Sequence, residues 1–74
     1  MKVGKALKIG QRMKEIRLSR GIQQKFMAEK LGVNISTYCN YESGIREPDF
    51  EVIKAFSECL SVPLSDLIII QEGE

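Results

Sequence analysis

Apolar side chains recur at three- and four-residue intervals along the chain, and the breaks in that rhythm mark its segments. Ile9, Met13 and Ile16 share one face of a first helix over residues 8 to 19, with Lys8, Arg12 and Lys14 at polar positions. Gly21 ends it, and a second helix starts near Gln23 and stops at Gly32. Asn34 suits the N-cap of a third helix, Ile35 to about Ser43, whose Tyr38, Tyr41 and Glu42 share a face and which Gly44 closes. After the loop Ile45-Arg46-Glu47-Pro48, Asp49 can cap a fourth helix, whose buried side is predicted to be Phe50, Ile53, Phe56, Cys59 and Leu60. VPLSDLIII, after Ser61, predicts a short fifth helix with Pro63 in its first turn. No run alternates with period two. The expected fold class is all-α, a compact five-helix single domain over residues 1–74.

The stretch QKFMAEKLGVNISTYCNYESG, residues 24 to 44, stops a helix after about two turns and restarts it at once. Apolar side chains at Met27, Leu31, Val33, Tyr38 and Tyr41, with the small Ala28 and with Gly32, suit two short helices meeting at a wide angle. A small side chain permits the crossing, glycine supplies the positive φ of the turn, and Val33 fills the angle from inside. This is a helix-turn-helix, spanning about residues 23–43, which holds its second helix where it can enter the DNA major groove. Successive 100° steps turn Ser36, Asn40 and Ser43 outward when Tyr38, Tyr41 and Glu42 face inward, and leave Ile35, Thr37 and Cys39 on the flanks.

Charge is divided along the chain, although the net is only +1: residues 1 to 37 sum to +7 and residues 38 to 74 to −6. One end can favour a polyanion while the other resists it; the plainer alternative is that these charges only solvate helix faces. With 74 residues and 43% apolar content, one small core is expected. Histidine is absent and Cys39 and Cys59 lack zinc-site spacing, so no metal or other cofactor is predicted. There is no Gly-rich phosphate loop and no nucleophile with its base, so no catalytic residue is assigned and an enzyme is not expected. No secretory signal is read, and the longest apolar run, Leu67 to Ile70, is far short of the roughly 20 residues of a membrane span. A soluble, cytoplasmic protein with both thiols reduced and no membrane partner is the expectation.

With these residues in view, the chain from about Ile9 to Ile68 resembles the phage-repressor and Cro-like (XRE-like) helix-turn-helix family. The likeness rests on the bihelical unit and on Arg17, Ala28, Glu42-Ser43-Gly44, Pro48 and the stretch from Leu60 to Leu67. It implies a lambda-repressor-like DNA-binding domain and a structural ion pair between Arg17 and Glu42. By the same resemblance Ile35, Ser36 and Asn40 match base-reading positions with Thr37 beside them, Gln24 and Ser43 match phosphate contacts, and the loop around Arg46 approaches the DNA backbone. The chemistry agrees: Asn40 can pair with adenine, Ser36 with several base edges, and Ile35 can pack on a thymine methyl.

The chain departs from the family pattern in three places. Gln23 stands where a Ser or Thr cap is usual, and Phe26 where a polar residue is common, either as a partner contact or as packing against helix 1 or a loop. The outer face of the third helix carries no Lys or Arg, so attraction to DNA is assigned to Lys8, Arg12, Lys25 and Arg46. Cys39 is read as a small residue on the helix flank, a redox role being the alternative, and Cys59 as core.

Leu64 and Leu67 belong to a segment of about residues 61–71 assigned to dimerisation, because Ile69 and Ile70 extend the apolar surface beyond one buried face; the alternative is that this tail folds back on helix 1. The expected function is a sequence-specific, repressor-like transcriptional regulator, a homodimer on partly palindromic double-stranded DNA with no small-molecule effector. The other reading is a protein–protein interaction module that keeps this fold without tight DNA binding.

Overall fold

The computed structural model describes residues 9–67, which form five helices: α1 (Ile9–Ser19), α2 (Gln24–Leu31), α3 (Ile35–Ser43), α4 (Phe50–Leu60) and α5 (Leu64–Leu67). Caps set several of these boundaries. The Asn34 side chain accepts from the Thr37 N–H at 2.9 Å, and Asp49 accepts from the Val52 N–H at 3.1 Å, so α3 and α4 each begin with an orphan donor satisfied. Between α2 and α3, Gly32 adopts φ 74°, letting its N–H return to Glu29 O and the Val33 N–H to Ala28 O. Gly44 at φ 88° closes α3 in a similar way, after which the Arg46 N–H reaches back to Asn40 O at 3.1 Å.

One core joins the helices. Met13 and Ile16 of α1, Met27 and Ala28 of α2, Tyr38 and Tyr41 of α3, Ile53, Phe56 and Leu60 of α4, and Leu67 of α5 are buried together, with Ile9, Ile22, Leu31 and Val33 packed at its margin. The two tyrosines meet edge to face, ring centroids 6.5 Å apart, a favourable arrangement of aromatic quadrupoles. Helix α3 rests mainly on α1 and α2, while α5 closes over α1 and α4.

The buried stripe of α4 differs from the one expected. Ile53, Phe56, Ser57 and Leu60 line it, whereas Phe50 and Cys59 are exposed. At 100° per residue, Cys59 stands about 110° from the centre of that stripe, which puts it on the flank. Phe50 lies about 70° off, in the first turn, where no neighbouring helix covers it. Ser57 tolerates burial because its hydroxyl donates to Lys54 O at 2.9 Å.

Leu67 also departs from its assignment: it is 1% exposed, part of the protein's own core, and offers a second copy nothing to touch. Leu64 is half-buried at the margin of the core, and Ile69 and Ile70 lie outside the described residues, as does Lys8.

Candidate nucleic-acid interface

Helices α2 and α3 are fixed to the rest of the protein by a polar chain. Arg17 donates from Nε to Glu42 Oε2 at 2.7 Å and from Nη2 to Oε1 at 3.1 Å, a bidentate pair between α1 and α3 buried on both sides. Its Nη1 also donates to Ile22 O at 2.6 Å, tying down the segment that leads into α2. Burial by itself would raise the Glu42 pKa, but hydrogen bonds centred on Arg17, with Tyr38 and Gln24 adding to them, hold the carboxyl below its ordinary value. The Arg17 pKa rises, first through its hydrogen bond to Glu42, against the opposing pull of burial. The Tyr38 hydroxyl is buried beside Glu42 without a hydrogen bond of regular geometry, and burial, followed by that carboxylate, pushes its pKa well up.

Glu42 thus faces inward, and the opposite side of α3 faces out. Ser36 and Ser43 are exposed, Thr37, Cys39 and Asn40 half-buried, and Ile35 is 42% exposed at the start of the helix. Ser36 and Asn40 stand one turn apart, with no hydrogen bond from either side chain to the protein among the described residues. Ser43 directs its hydroxyl back to Asn40 O at 3.2 Å, so it already has a partner within the helix. Arg46 is exposed in the loop that follows.

The start of α2 lies on the other side of the turn. Gln23 has the extended backbone of a cap residue but supplies no side-chain hydrogen bond, so the first-turn N–H groups of α2 lack the capping oxygen that α3 and α4 possess. Such groups, with the positive end of the helix dipole, suit an anion. Gln24 is not free at this end: its Nε2 donates to Glu42 Oε1 at 3.0 Å, and its Oε1 accepts from Cys39 Sγ at 3.3 Å. Lys25 is exposed beside it.

Arg12 is engaged elsewhere. Its Nε donates to Asp66 O at 2.9 Å and its Nη1 meets Glu15 at 3.2 Å, so its guanidinium is held between α1 and α5. Arg20 likewise donates to Leu60 O at 2.7 Å, at the carbonyl end of α4. Phe26 remains 45% exposed, with Lys30 Nζ 5.3 Å from its ring centroid.

The placement of α3 depends on Gly10, which apolar periodicity does not single out. A Cβ there would overlap Tyr41 O and lie 2.8 Å from the Tyr41 carbonyl carbon, so α1 and α3 touch backbone to backbone. The available signal was a glycine inside a helical pattern, a mark of close approach.

The helix-turn-helix family model matches residues 13–67. A prophage-derived transcriptional regulator of this type, YonR of Bacillus subtilis, is 37% identical over 59 residues, which is 80% of this chain and 55% of the relative. Among solved structures, SinR of Bacillus subtilis in complex with DNA is 32% identical, with a TM-score of 0.72 over 80% of this chain and 95% of the other. The restriction-modification controller protein C.AhdI of Aeromonas hydrophila is 28% identical, with a TM-score of 0.76 over 82% and 92%. The chain spans about half the length of the curated relatives it matches.

Proposed function

Because this chain belongs to the helix-turn-helix family, we propose that it is a sequence-specific DNA-binding regulator of transcription, acting by occupancy of double-stranded DNA and not by catalysis, in the cytoplasm. The observation that carries this reading is the solvent face of α3, where Ser36 and Asn40 stand one turn apart with unengaged side chains beside the uncapped start of α2. In the major groove, Ile35, Ser36 and Asn40 meet base edges, with Thr37 on the flank. Gln24, Ser43 and Arg46 meet phosphates, helped by Lys25 and by the first-turn N–H groups of α2. That SinR, 32% identical, is solved in complex with DNA supports double-stranded DNA as the partner.

Two copies on a partly palindromic operator fit this geometry, each placing one α3 in successive major-groove faces about 34 Å apart. Of the residues assigned to the dimer, Leu64 lies at the margin of the core, and Ile69 and Ile70 complete the set in sequence. Among the described residues no helix is long and apolar enough to cross a membrane.

The interaction-module reading draws on the neutral face of α3 and on the exposure of Phe26 and Ile35. Selecting bound duplexes from a random pool decides between them. A regulator enriches one motif with half-sites about one helical turn apart. A pool that stays random after repeated rounds rejects the DNA reading.

A further inference from the structure

Gln24 is assigned to a phosphate, yet both ends of its amide are engaged inside the protein. Their chemistry allows one orientation. Glu42, ionised and paired with Arg17, only accepts hydrogen bonds, so the Gln24 NH2 group must face it. The amide oxygen is thereby turned toward Cys39, whose thiol is a donor and approaches to 3.3 Å. Nε2 carries two hydrogens, and Glu42 takes one. The contact crosses the motif, from the flank of α3 to the first residue of α2, and both side chains are half-buried at its edge.

Resting on the DNA-binding reading above, we propose that Cys39 is a positioning residue for DNA binding: its thiol anchors the Gln24 amide so that the second Nε2 hydrogen is held ready for a phosphate at the start of α2. A glutamine tethered only at Nε2 retains rotational freedom that it must give up on binding; the second anchor removes that loss beforehand. Because phosphates are common to all sequences, the effect is independent of operator sequence. Because neither residue contributes a charge, it leaves the salt dependence unchanged.

The test uses a short fluorescent duplex of random sequence at low salt, with the full chain. Cys39→Ala weakens binding by about three- to tenfold, the scale of one net hydrogen bond, at unaltered salt slope. Cys39→Ser, which restores a donor, recovers most of the loss. In a Gln24→Ala background Cys39→Ala has no further effect. In the free protein, the side-chain amide resonances of Gln24 shift in Cys39→Ala and return in Cys39→Ser. Additive losses from the two alanine substitutions, or Gln24 resonances indifferent to Cys39→Ala, overturn the inference and leave the DNA-binding reading standing. A wild-type protein that binds no duplex overturns that reading and the inference with it.

Discussion

Gly10 of α1 and Tyr41 of α3 meet backbone to backbone, with no space between them for a methyl group. This contact sets how deeply α3 seats on α1, and hence how far its outer face projects. Alanine would gain about 1 kcal/mol of helix propensity at position 10, but its Cβ collides with a carbonyl and not with a movable side chain. The overpacking cost, about 1–3 kcal/mol or more where backbone must shift, prevails. Gly10→Ala is expected to lower the thermal midpoint by about 10 °C, read by calorimetry; an unchanged or higher midpoint would show that α1 and α3 have room to move apart.

The Arg17–Glu42 pair predicts an asymmetry between single and double substitution. Glu42→Leu leaves a buried guanidinium unmatched and should cost about 3–5 kcal/mol, whereas adding Arg17→Met should restore much of that. Acid dependence follows from the depressed Glu42 pKa. Protons bind the unfolded carboxyl first, at its ordinary value of 4.5, so the pair contributes fully above that pH and its contribution is lost as pH falls through the lower folded-state value. Urea unfolding of wild type and double variant at neutral pH and below pH 4.5 checks this. An identical acid response in the two proteins would remove Glu42 from the explanation.

Asn40 has its side-chain amide unengaged on the outer face of α3. If it reads a base, Asn40→Ala should relax preference at one operator position, at a cost of about 1–3 kcal/mol. Comparing motifs selected by the two proteins measures it; matching profiles at every position would reject the assignment.

The proposed dimer rests on the apolar end of the chain. Ile69→Asp combined with Ile70→Asp should yield a folded monomer, with helical circular dichroism retained and half the mass by light scattering. A dimer that survives both substitutions places the interface elsewhere.

Much of this architecture was legible because its punctuation is chemical. Asn34, Gly44 and Asp49 mark helix ends whichever way the helices pack, and the apolar spacing of Met27, Leu31, Tyr38 and Tyr41 requires a bihelical unit. Periodicity identifies a stripe but not where its neighbours stop, so it extends to Phe50 and Cys59 a core that ends short of them. Cations are harder still: Arg12 and Lys25 look alike as sequence, yet one is bound to the Asp66 carbonyl and the other stands exposed. The Gln24–Cys39 contact depends on the angle between α2 and α3, which residue spacing alone does not specify.

Equilibrium binding to random-sequence duplex DNA across a salt series tests the account most directly, since it asks whether phosphates meet the surface formed by α2, α3 and the Arg46 loop. The logarithm of the binding constant should fall linearly with that of the salt concentration, with a slope of about −3 or steeper for a few phosphate contacts per protein. Binding that is flat across the series, or undetectable at low salt, would contradict a DNA-binding role for this helix-turn-helix.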